Sequence, residues 1–291
     1  MGYRWSARDR SIADGFLRIA REQATKAETA ARDETRGPAE RVHECRRRIK
    51  KLRALIRLVR PDFPDFAMEN RRLRDTARKM AGPRDAEVAG NALKNLLEWA
   101  ELPPVEPVAA ARDDAPDRQA LAGFAEEMRA LIVRLDFWPV AEISETTLAE
   151  GVARTYRAAR RGASEVRTDD DGEVMHEWRK DAKYHALHLR LLESFAAELL
   201  ASEIAVASEL ADRLGEHHDL VVLREVLLTD AESLAIDLAT APVLTAARQR
   251  QRELEPRIDE LGGQVFAEKP KALRARFEAY LAGRKATQVE A

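Results

Sequence analysis

The order His-x-x-Arg-x-x-x-Lys occurs at His43, Arg46 and Lys50, and recurs 133 residues later at His176, Arg179 and Lys183. Spacings of three and four residues bring side chains to one face of a helix, and all three residue types can donate hydrogen bonds from nitrogen. Such a row suits an anion rich in oxygen. Arginine gives two parallel bonds to one phosphate, lysine a compact charge, and imidazole a ring N–H whose protonated form a bound polyanion favours. Orientation of a neighbouring side chain is the other role open to the two histidines.

At about 100° per residue, Arg46, Arg47, Lys50 and Arg57 fall within about 60° of His43, while Val42, Cys45, Ile49, Leu52, Ile56 and Val59 gather about 200° away. At about 1.5 Å per residue, the cationic face is about 20 Å long. Between Arg41 and Arg60 stand Arg41, Arg46, Arg47, Arg48, Lys50, Lys51, Arg53, Arg57 and Arg60, against the single acid Glu44. Solvated helix faces usually interleave opposite charges. Here Arg46/Lys50, Arg47/Lys51 and Arg53/Arg57 are like-charged pairs four apart, each costing about 0.2 to 0.5 kcal/mol, which a bound polyanion offsets. A merely solvated face is the competing explanation.

The second copy has the same two faces, with His176, Arg179, Lys180, Lys183 and Arg190 polar, and Met175, Trp178, Ala182, Leu189 and Leu192 toward the core. Ala186 and Leu187 stand where the first copy has Arg53 and Ala54, so this copy is the weaker source of charge. After the first copy come Arg71, Arg72, Arg74, Arg78, Lys79 and Arg84, with Asp75 among them. If their helix runs antiparallel to the first, the two basic surfaces form the walls of one groove.

Other chemistries fit less well. His43-Glu44 and His176-Glu177 begin like a zinc-protease motif, but the fifth positions are Arg47 and Lys180 rather than histidine. His185 projects to the core position of Leu52, with His188 at its edge; His217 and His218 read as surface or turn residues without a convergent carboxylate. Cys45 lies on the apolar face, and one cysteine makes neither an internal disulfide nor a cysteine-rich metal site. No glycine-rich phosphate loop is present, so neither a catalytic motif, a metal nor a cofactor is expected. The formal net charge of -2 argues against a general nucleic-acid binder, as does the lack of aromatics among the basic residues. The charge is uneven, however: acids concentrate after Asp85 and offset the basic stretch.

The elements that must position these side chains are helices. A chain of 291 residues with aromatics at 5% builds its core from aliphatic side chains, and no alternating apolar pattern persists long enough for a strand. The patterning predicts helices at about 11–31, 38–60, 65–81, 85–101, 117–135, 141–161, 173–195, 197–214, 219–234, 241–261 and 270–283, punctuated by Pro61, Pro64, Gly82 and Pro83. Asp85 and Asp219 are placed to cap helices. The proline-rich segment from Pro103 to Pro116 divides a first half, 1–110, from a second, 111–291. No segment offers about 18 uninterrupted apolar residues, so neither secretion nor a membrane span is expected, and a reducing cytoplasm fits the cysteine content.

The repeat extends beyond one helix. Lys50, Ile56, Arg57 and Leu58 align with Lys183, Leu189, Arg190 and Leu191; Met80 and Arg84-Asp85 align with Leu214 and His218-Asp219. Two elements recurring in order indicate duplicated halves. With the opening Ile19-Ala-Arg-Glu-Gln23, these paired signatures resemble the CHAD domain, an α-helical domain named for its histidines, over most of the chain. The resemblance implies an all-α fold of two pseudosymmetric four-helix bundles around a basic central cavity. It implies a module that binds inorganic polyphosphate, localises in some members to polyphosphate granules, and works beside a polyphosphate enzyme supplied by another chain. The signature positions together with the basic faces read above give the expected binding residues His43, Arg46, Arg47, Lys50, Lys51, Arg53, Arg57, Arg72, Arg78 and Arg84, then His176, Arg179, Lys180, Lys183, Arg190 and His218. A phosphoanhydride-processing enzyme and a binder of nucleic acid or phosphorylated protein are the alternatives.

Overall fold

The structure is a computed structural model that describes residues 2–6, 8–80, 84–103, 118–166, 172–229 and 240–289, with the side chains of 84–87, 172–173, 240 and 284–289 excepted. Among the described residues there are helices and no strand. They are α1 (Ile12–Arg32), α2 (Pro38–Leu58), α3 (Phe66–Lys79), α4 (Arg84–Trp99), α5 (Arg118–Arg134), α6 (Glu145–Val166), α7 (Gly172–Leu192), α8 (Ala197–Thr229), α9 (Thr240–Val265) and α10 (Pro270–Val289). The all-α expectation holds. No described helix is long and apolar enough to cross a membrane.

Local signals explain the boundaries. Ser11 caps α1, its hydroxyl accepting the Asp14 amide at 3.0 Å, and Pro38 opens α2 where no intrahelical donor is required. Pro61 has no amide hydrogen to continue α2, and the chain leaves through a short 3-10 turn at Arg60–Asp62.

Expectation and structure part company in α8, which runs unbroken where two helices with a turn near 214–219 were expected. Gly215 keeps a negative φ, as helix requires. Leu210, Leu214, His217, Leu220 and Leu223 are buried, so the apolar stripe passes through the segment without a change of register. Asp219 therefore lies in a helix interior and caps nothing, and α4 already includes Asp85, whose side chain is outside the described ones.

The chain forms two compact units, neither of which matches a sequence half. One comprises Met1–Ala81, Ala115–Ala207 and Val265–Ala291; the other comprises Gly82–Asp114 and Ser208–Gln264. In the first, α1 packs on α2 and α5, α2 on α3, α6 and α7, and α6 on α7 and α10. Its interior contains Phe16, Phe63 and Trp138 with ring centroids 5.0 to 5.8 Å apart, and Tyr156, His185 and Phe266 form a second aromatic group. At Gly151 of α6 an added Cβ would stand 1.7 Å from the Leu58 carbonyl oxygen, so only glycine permits this approach to α2.

In the second unit, α8 and α9 run antiparallel, bridged by Glu209–Arg257 and Glu216–Arg250. Arg250 also lies over the Trp99 ring of α4 at 5.3 Å.

Candidate anion-binding face on α2 and α3

The burial of α2 follows its two-faced sequence. Val42, Cys45, Ile49, Leu52, Ile56 and Val59 are all buried, leaving the basic residues on the other side. Arg41 is an exception among the cations: it is buried and donates from Nη2 to the Ala31 carbonyl, so it ties α2 to the end of α1.

Helix α3 runs antiparallel to α2. Arg46 Nη2 donates to the Met80 carbonyl at 3.2 Å, and seven residues later Arg53 Nε donates to Asn70 Oδ1 at 3.0 Å. The two helices thus bring their cations together as anticipated. Arg53 is half-buried and electrostatically coupled to Arg57 on its own helix and to Arg74 and Arg78 on α3; burial depresses its pKa first, and the three like charges add to that. Arg57 lies 4.2 Å from the Tyr184 ring centroid on α7 and 6.0 Å from that of Phe66 on α3, and its buried Nε has no hydrogen-bond partner among the described residues. Lys50 and His43 are exposed on the same helix.

A second strip of α2 is partly neutralised. Glu44 receives Arg47 Nη2 and Arg48 Nε, both at 2.6 Å; burial opposes its ionisation, but these bonds outweigh that and hold its pKa down. Arg48 also donates to Gln23 of α1 at 3.0 Å. Lys51 lies 5.0 Å from the Tyr3 ring centroid, and burial, then Arg48 and Arg47, push its pKa down to about 8. Glu44 therefore does more than its single charge suggests, because one carboxylate serves two arginines.

Arg72 points elsewhere. It sits about 160° around α3 from Arg74 and about 120° from Arg78 and donates to Glu69 at 2.7 Å. Glu69 is buried and also meets Arg134 of α5. This ion-pair group separates Arg72 from the cluster around Arg53. Arg74, part of the basic run, takes the place nearer the cluster, although it also bonds Asp75 at 3.1 Å.

Helix α7 crosses α2 antiparallel. His188 Nε2 meets the Ala54 carbonyl at 2.9 Å, while Tyr184 meets Arg57. Its sequence-expected cations His176, Arg179 and Lys183 are half-buried, Lys180 is exposed and held by Glu177 at 2.5 Å, and Arg190 is exposed. On α7, Arg57 stacks on Tyr184 and is coupled electrostatically to His188 and Asp181; burial raises the pKa of Asp181, and Arg57 is the first charge opposing that. His218 is half-buried in the second unit, and the Arg84 side chain lies outside the described ones.

Two of the remaining three histidines are more deeply placed than their sequence positions suggested. His185 is in the core as expected, but His188 is wholly buried rather than at the edge, and His217 is buried on α8 with Nε2 3.7 Å from Glu255. Tyr184, Phe66 and Asn70 are the site residues the pattern missed. Each comes from another segment of the chain, where a lone aromatic or amide gives no periodic signal. The stacked aromatics also correct the impression that none accompanies the basic residues.

Arg57, held by stacking, and Arg53, held by the neutral amide of Asn70, keep N–H groups available to an anion, and their mutual repulsion falls when negative charge arrives. A search of curated proteins gives no match. The CHAD domain family model matches residues 16–228, most of the length, and the chain belongs to the CHAD domain family.

Proposed function

We propose that this protein binds inorganic polyphosphate along the cationic faces of α2 and α3. The observation that carries the reading is the group of Arg53, Arg57, Arg74 and Arg78, four guanidinium groups from two antiparallel helices. A linear chain of phosphates presents repeated charge with neither sugar nor base to be read, so a row of forked donors is sufficient recognition. His43, Arg46 and Lys50 extend the row on α2. His176, Arg179, Lys183 and Arg190 extend it on α7, which we read as the duplicated counterpart of α2 in a pseudosymmetric pair of bundles around a basic cavity. Role and place follow from this reading: a binding module rather than an enzyme, cytoplasmic, serving polyphosphate granules or a polyphosphate enzyme on another chain.

Titration with long-chain polyphosphate, competed by single-stranded RNA and by tripolyphosphate, with phosphate release followed with and without Mg²⁺, tests the reading. Selective binding without release is expected. Metal-dependent release by rigorously purified protein would make it an enzyme, and a preference for RNA would replace the ligand. Affinity should fall steeply with salt because bound cations on the polyanion are released; a salt-independent affinity would overturn the electrostatic mechanism.

A further inference from the structure

Beside the cationic face lies a cleft of about 600 Å³ lined by Arg60, two phenylalanines, three prolines, Ala67 and Ala141, with Asp62 and Glu142 also in its wall. Its volume falls within the ordinary range for small-molecule sites, about 300 to 1,000 Å³. The walls are dominated by proline and phenylalanine, surfaces that accept a planar ring. One end is cationic. Arg60 sits 4.7 Å from the Phe66 ring centroid, and its pKa is lowered by burial and then by Arg154 and Arg57. No acidic side chain among the described residues forms an ion pair within 4 Å of Arg57, Arg60 or Arg154, whereas Asp62 is engaged by the Thr147 hydroxyl. Arg57 joins the two regions, facing Phe66 on the cleft side and coupling to Arg53 on the other.

We propose that this cleft takes the base of a nucleoside polyphosphate, whose phosphates lie on Arg60, Arg154 and Arg57 and lead toward Arg53. Glu142, also in the lining, repels phosphate and so favours entry with the phosphates at the arginine end. The phosphate path rests on the polyanion reading above; the base cleft does not.

Calorimetric titration of the full chain in EDTA with ATP, tripolyphosphate and long-chain polyphosphate separates the two. ATP carries less charge than tripolyphosphate when both are fully ionised, so charge alone ranks tripolyphosphate first. A seated base should reverse the order and make ATP about tenfold tighter. Ala67→Trp and Ala141→Trp fill the cleft from exposed positions; each should bring ATP down to the tripolyphosphate level while leaving long-chain polyphosphate unchanged. The proposal is overturned if tripolyphosphate matches ATP on the unaltered protein, or if the ATP advantage survives both substitutions. Retained polyphosphate binding confines that failure to the cleft, and absence of binding by all three ligands overturns both readings.

Discussion

His188 on α7 reaches across to the backbone of α2, its Nε2 standing 2.9 Å from the carbonyl oxygen of Ala54. Ala54 directly follows Arg53 and stands three residues before Arg57, so a wholly buried imidazole holds the stretch of helix that presents these arginines. A few positions away, Tyr184 supports Arg57 from the same helix. Packing and electrostatics are thus connected at one crossing.

Charge reversal should distinguish the two sides of α3. Arg46→Glu with Lys50→Glu is expected to abolish polyphosphate binding with helical circular dichroism unchanged, and Arg78→Glu to weaken binding at least tenfold. Arg72→Ala should leave affinity within about twofold, since Arg72 belongs to the Glu69 and Arg134 group. The corresponding Arg179→Glu with Lys183→Glu should weaken binding less than the α2 pair. Equal losses from Arg72 and Arg78 would overturn this assignment.

Lys51 gives the binding a pH dependence. Its pKa of about 8 leaves part of the population neutral in mildly alkaline solution, while a bound polyanion favours the charged form. Binding near pH 8 should therefore take up protons, measurable as a dependence of calorimetric heat on buffer ionisation. Lys51→Arg should remove that dependence, and an unchanged heat pattern in the variant would exclude Lys51 as its source.

Acid stability should depend on the buried histidines. Burial holds His185 and His188 down to about 3, whereas in the unfolded chain each accepts a proton near about 6.5. Above that value their ionisation does not disfavour folding. As pH falls from about 6.5 toward 3 the unfolded state binds more protons, and stability declines by up to about 1.4 kcal/mol per pH unit for each histidine. His185→Leu, which places the first copy's Leu52 in the second, should flatten the slope in denaturation midpoint measured across this range. A slope identical to that of the unaltered protein would count against the assignment.

Gly151→Ala should destabilise the first unit by about 3 kcal/mol, because an added methyl group meets the Leu58 carbonyl at 1.7 Å and forces two packed helices apart. Urea denaturation measures the loss. A shift below about 0.5 kcal/mol would show that α6 and α2 separate easily.

Cys45 should react with a thiol reagent only after denaturation. It is fully buried, and burial pushes its thiol up to about 12, so accessible thiolate is scarce in the folded protein. Rapid labelling under native conditions would contradict the packing of α2 on α1.

Helix identity, the two faces of α2 and its repeat in α7 were all legible in the sequence, because 3.6-residue periodicity, proline stops and like-charge spacing are local properties. The core positions Val42, Cys45, Ile49 and Leu52 could be named from that rule alone. Continuity of α8 was not legible, since Gly215 permits either a turn or a helix and the buried stripe from Leu210 to Leu223 decides between them. The pairs of Glu44 with Arg47 and Arg48, and of Glu69 with Arg72, follow three- and four-residue helical spacing; local pattern did not reveal that Glu69 is buried or that Arg134 of α5 joins it. Tyr184 and Phe66 enter the site from segments distant in sequence, and only packing brings them to Arg57. The sequence determined which helices carry charge; the tertiary structure decided which charges on different helices meet, because ion pairing and stacking between helices depend on distances that the spacing along one helix cannot set.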